Sequence, residues 1–162
     1  MNNLRKLSLF LSFILFSAPQ AIAATDITFH GTLINLTCKI GDDNPIDIDF
    51  GDEVVTDLID GEHYLHAVPL QITCNEDYNG DLNFSVIGTP SSFENSALVT
   101  DVAGLGIRFL DASTNTPIEL NKAYRYKNNN NVDLTVVPVK EASTSLPGGA
   151  FTASAQLLVE PQ

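Results

Sequence analysis

This 162-residue sequence predicts an all-β fold, a sandwich or barrel of short strands. Three observations carry that expectation. Apolar and polar residues alternate with period two in one short stretch after another, turn-rich clusters separate the stretches, and no segment holds a convincing helical period. The separating clusters are GDDNP, NEDYNGD, GTPSS, DASTNTP, KNNNN and STSLPGG, rich in the residues that favour turns.

Residues 1–23 read as a secretory signal peptide and stand outside the fold. Arg5 and Lys6 form the positive start, LSLFLSFILFSA the apolar middle, and Ala21-Ile22-Ala23 a small-residue cleavage site. The apolar run is shorter than the roughly 20 residues that span a bilayer and breaks at Pro19, so no transmembrane segment is expected in the mature chain. About 139 residues remain, enough for one ordinary domain.

The first element of the mature chain is TDITFHGTLINLTC, residues 25–38, in which Ile27, Phe29 and Leu33, with a gap at Gly31, define one strand face. Next, Ile46, Ile48 and Phe50 alternate with Asp47 and Asp49 in PIDIDFG. EVVTDLIDGEH is either a short helical turn or a loop, with Gly61 near its end. Val68, Leu70, Ile72 and Cys74 alternate in VPLQITC, and Leu82, Phe84 and Val86 in DLNFSVIG. Leu105, Ile107 and Phe109 follow in GLGIRFLD, then Val132, Leu134 and Val136 in NVDLTVVPVK. The last strand presents Phe151, Ala153, Ala155, Leu157 and Val159 on one face and Thr152, Ser154, Gln156 and Glu160 on the other. Pro69 and Pro138 cannot donate to a ladder, which predicts an edge or a bulge at each.

Two cysteines, Cys38 and Cys74, sit in a chain addressed to an oxidising compartment. They lack the CxxC spacing and neighbouring histidines of a metal site, so a structural disulfide is expected. In the loop-entropy model such a bond stabilises the fold by roughly 4 kcal/mol. Arg5 and Lys6, two of the eight basic residues, leave with the leader, and the other six face 20 acidic residues. So acidic a chain repels phosphate backbones and cannot assemble the basic patch that nucleic-acid binding needs.

No catalytic, metal or cofactor site is expected. His63 and His66 in GEHYLHA are three apart, but no HExxH frame or third ligand accompanies them, and they are expected as an exposed loop pair. The acidic DDNPIDIDFGDE misses the register of a calcium loop, and Asp47 and Asp49 read more simply as the wet face of a strand. Nucleophile elbow, phosphate loop and dinucleotide fingerprint are all missing from the sequence, so it predicts a non-enzyme. The sequons at Asn35 and Asn83 matter only in a eukaryotic secretory pathway, and Asn128 to Asn131 read as a polar turn.

One set of features carries a resemblance. It comprises the leader, the short alternating DITFHGTLI with its central glycine, Cys38, a second cysteine about 36 residues later in LQITC, GLGIRFLD, and the C-terminal GGAFTASAQLLVEPQ. Together they resemble the pilin subunits of chaperone-usher fimbriae, and the short extension is most similar to the minor, adaptor-type pilins of P-type fimbriae. The resemblance covers essentially the whole mature chain. It implies an incomplete immunoglobulin-like β-sandwich lacking its final strand, completed by a donor strand from another chain. Residues 24–34 would be the N-terminal donor-strand extension and residues 35–162 the pilin domain. Thr25, Ile27, Phe29, Gly31 and Leu33 would be the donor face, and Phe151, Ala153, Ala155, Leu157 and Val159 the C-terminal strand bordering the groove and facing the chaperone. The family commonly keeps a tyrosine next to last, where this chain has Pro161. The implied partners are neighbouring pilin subunits, a periplasmic chaperone and an outer-membrane usher, with export through the periplasm to a fimbrium on the cell surface and a contribution to cell adhesion. Within the same family a tip adaptor or terminator is the alternative role. Outside it, the alternative is a self-contained secreted Ig-like domain that binds a glycan and pairs residues 25–33 within its own sheet.

Overall fold

The computed structural model describes residues 25–41, 44–75, 78, 80–127 and 132–162. The expected signal peptide and the Asn128 to Asn131 turn lie outside them, as do parts of the GDDNP and NEDYNGD turns. The chain divides into two units, residues 1–33 and residues 34–162.

Among the described residues the second unit holds ten strands: β1 (Cys38–Ile40), β2 (His66–Val68), β3 (Ile72–Cys74), β4 (Asp81–Ile87), β5 (Ala97–Val99), β6 (Leu105–Asp111), β7 (Thr116–Pro117), β8 (Tyr124–Lys127), β9 (Leu134–Lys140) and β10 (Gln156–Pro161). Within EVVTDLIDGEH a single 3-10 turn forms at Thr56–Leu58. One sheet has the order β10-β4-β8 and a larger one β2-β9-β6-β5, with β7 added on β6; β1 and β3 form a separate pair. Every pairing is antiparallel.

Period two explains how the two main sheets meet. Phe84 and Val86 of β4, Ile107 and Phe109 of β6, and Leu134 and Val136 of β9 all turn to one interior, joined by Ile118, Leu120 and Val132. Tyr126 of β8 closes on Phe84 edge to face, ring centres 5.9 Å apart. On the opposite face of β6 and β9, Leu110, Val137 and Val139 are buried together with Ala97 of β5, and Phe93 packs against them. At its margin Arg108 grips Glu94 with two bonds of 2.5 and 2.6 Å, and this guanidinium holds the carboxyl below its usual range. Gly61 is required beside that pair: its φ is +85°, and a Cβ there would stand 2.5 Å from Arg108 Nη1.

The cysteines are joined, and they face each other directly in the β1–β3 pair. VPLQITC is not one strand, because β2 pairs with β9 while β3 pairs with β1. Pro69 marks the change of sheet, although burial alternates without interruption from Tyr64 to Asn75. Pro138 lies in β9 beyond the end of β2, so its missing N–H deprives no neighbouring strand on that side. His66 is not part of a loop pair: it sits in β2 with its ring edge-on to Phe50 at 4.9 Å, while His63 bonds Asp60 at 2.8 Å.

Three alternating stretches expected as strands lie outside every ladder. Residues 25–37, 44–52 and 149–155 have no strand assignment. A strand is completed by its neighbour's hydrogen bonds, and alternation alone does not supply them.

Candidate functional site

Two of those three stretches form the walls of an open groove in the second unit. Residues 44–52 make one wall and residues 149–155 the other, around a cavity of about 910 Å³. Its floor is the hydrophobic interior itself: Val68, Leu98, Ile107, Phe109, Val136 and Leu157. A sandwich that leaves its core open along one side has a site shaped for an extended apolar segment.

Each wall is held in place by its own contacts. Ile48 and Phe50 of the first wall and Phe151 of the second pack partly buried against the core, and the Phe50 and Phe151 rings lie 5.8 Å apart. Asp47 and Asp49 alternate with these residues and remain exposed, so the first wall carries an acidic outer rim. Thr152 anchors the second wall to Asp101. Its N–H and hydroxyl donate to the two carboxylate oxygens at 2.8 and 3.0 Å, and its carbonyl accepts from the Asp101 N–H at 3.1 Å. Those donors, the Thr152 N–H first, hold the Asp101 carboxyl below its usual range. Gly88 supplies room at the floor, since a Cβ on it would stand 2.5 Å from Leu98 Cδ1 and 3.6 Å from Ala155 Cβ.

The C-terminal residues singled out from the sequence divide between groove and ladder. Phe151, Ala153, Ala155 and Leu157 line the groove, with Ala153 and Ala155 exposed. Val159 lies further along β10, opposite Phe84 of β4, and packs against the core. Pro161 still pairs with Leu82, and the chain end is tied beyond it by the Gln162 N–H on the Asp81 carbonyl at 3.0 Å. In the first unit Ile27, Phe29 and Leu33 are 73%, 89% and 100% exposed. Thr25 and Gly31 are exposed with them.

Sequence reasoning missed that residues 44–52 are the first wall. The alternation of Ile46, Ile48 and Phe50 was the available signal, and it reads the same in a paired strand as in an unpaired one.

Residues 27–162 match the family model described as Fimbrial protein. The fimbrial-like protein YfcQ of Escherichia coli (strain K12) is 34% identical over 163 residues, covering 94% of this chain and 98% of its own. YfcR of the same strain is 29% identical over 118 residues, 71% of this chain and 69% of its own. Among solved structures, the P pilus adaptor subunit PapF superposes with a TM-score of 0.56 at 22% identity, over 77% of this chain and 95% of its own. The P pilus rod subunit PapA gives 0.62 at 19% identity, over 85% and 100%. These two likenesses show the fold, an immunoglobulin-like sandwich short of one strand.

Proposed function

The chain belongs to the fimbrial protein family, as a structural subunit of a pilus, and from that premise we propose that it enters the fibre by strand exchange. Its groove receives an extended segment from one neighbour, and its own residues 25–33 are given to the groove of another. The observation that carries this reading is the groove itself, an open core flanked by two alternating segments that no ladder includes. A strand inserted between residues 44–52 and 149–155 gains main-chain hydrogen bonds along the walls and apolar pockets on the floor.

The magnitudes suit a durable joint. Burying Ile27, Phe29 and Leu33 contributes on the order of 5 to 9 kcal/mol before ordering costs, and each new backbone bond about 1 kcal/mol net. In this reading Ile27, Phe29, Gly31 and Leu33 form the inserted face, and Thr25 takes the outermost position. A periplasmic chaperone covers the groove during export, an outer-membrane usher assembles the subunits, and the fibre serves adhesion at the cell surface. The role is structural, without catalysis.

The test is to move residues 25–33 behind Gln162 through a short linker. The rearranged chain is expected to be a stable monomer, and the unmodified mature chain to self-associate or unfold. A cooperative, highly stable monomer of the unmodified chain would overturn the reading in favour of a self-contained domain. Phe29→Asp sharpens the test: it should prevent incorporation into fibres and leave the sandwich folded.

A further inference from the structure

The two faces of an inserted strand meet different surroundings. Ile27, Phe29, Gly31 and Leu33 share one face of the 25–33 segment, which leaves Asp26, Thr28, His30 and Thr32 on the other. Along the first wall Ile46, Ile48 and Phe50 are half-buried and Asp47 and Asp49 exposed. Residues opposite one another in neighbouring strands share a face, so the inward sets can match only if outward residues face outward residues. Segment 25–33 and wall 44–52 are each nine residues long, and His30 is near the centre of the first as Asp47 and Asp49 flank the centre of the second. In either centred register, and whichever way the strand runs, His30 lies directly opposite one of these carboxylates and diagonal to the other.

We propose that the groove takes the N-terminal segment of a second copy of this chain, and that the acidic rim at Asp47 and Asp49 recognises that copy through His30. The inference rests on strand exchange at this groove. A protonated imidazole between two carboxylates is attracted to both, and a neutral one is not. Assembly between copies therefore tightens as the medium becomes mildly acidic.

The remaining groups around His30 leave the rim in control. The second wall offers Ala150, Thr152 and Ser154, and the Asp101 carboxylate beside it is already bonded to Thr152. The floor beneath the inserted strand is apolar. Asp52 adds negative charge at the end of the first wall, and Asp26 lies near the outer end of the inserted segment. Asp49 Oδ1 accepts the Gly51 N–H at 2.8 Å, which leaves its second oxygen for the imidazole. His66 is the other imidazole near the groove, and its ring sits edge-on to Phe50.

Self-association of the full mature chain, followed by sedimentation velocity at low salt, tests both parts. It is expected to be about threefold tighter at pH 5.5 than at pH 7.5, the size of an exposed cross-strand charge pair. His30→Gln should remove that difference, as should Asp47→Asn combined with Asp49→Asn, and 0.5 M salt should weaken it. His63→Gln and His66→Gln should keep it. A pH difference that survives in His30→Gln overturns the role of the rim, and a wild-type chain that fails to self-associate at either pH overturns the second copy as occupant. If Phe29→Asp still blocks association while His30→Gln keeps the full pH difference, strand exchange stands and the rim inference falls. If Phe29→Asp associates like the wild type, strand exchange itself is wrong.

Discussion

Strand β4 and the wall at residues 149–155 are built on the same pattern and meet different fates. Phe84 and Val86 alternate in β4 as Phe151, Ala153 and Ala155 do in the wall. Yet β4 lies between β10 and β8 with Leu82, Phe84 and Val86 buried, while the wall is in no ladder and Ala153 and Ala155 are exposed. A backbone in β geometry presents its side chains to two faces without help, but its amides need a partner on each edge. The difference teaches that an alternating segment bordering an open core marks where another strand belongs.

The largest test of that contrast is to supply the strand. With residues 25–33 relocated behind Gln162, stability against denaturant should rise by about 5 kcal/mol, and amide exchange across residues 149–155 should slow towards that of β4. Fast exchange along the wall in a stabilised chain would break the comparison. Next in size, Phe84→Ala should cost about 3 to 5 kcal/mol. Phe151→Ala in the unmodified chain should cost about 1 kcal/mol, because its ring is only half-buried. Equal denaturant midpoints for the two variants would mean that the wall is as fully packed as the strand.

Cys38→Ser comes third, at about 2 to 4 kcal/mol, and should lower the yield of folded chain sharply. It acts on the β1–β3 pair, which belongs to neither compared region but packs against the core they share, so it should destabilise them together. The smallest effect concerns the Asp101 clamp on Thr152. Because the folded carboxyl is held below its ordinary value, its contribution is present above about pH 4 and is lost as acid protonates it. The Thr152 amide resonance should therefore shift as the pH falls below 4, and Asp101→Asn should abolish that shift while leaving β4 unaffected.

Legibility followed strand length and the side of the molecule. Strands β4, β6 and β9 were readable because each is seven residues long and sets alternating side chains against the core. The disulfide was readable from compartment and count. Strands β5, β7 and β8 were not: they have three, two and four residues, too few for a period to show. The groove was half legible. Its C-terminal wall stood out through resemblance, whereas Asp47 and Asp49 read as an ordinary wet face until the opposite wall was seen beside them.

By itself the sequence determined which way each side chain turns along 44–52, 81–87 and 149–155, because period two is a property of the local backbone. It also determined the pairing of Cys38 with Cys74, since no other cysteine exists. Only the tertiary structure decided which alternating segments acquire a neighbour. That outcome depends on residues far along the chain: Ile87 finds Gln156 and Asp111 finds Leu134, and residues 44–52 find no partner in the sheets. Hydrogen bonding across a ladder is a relation between distant segments, and no window of sequence contains both sides of it.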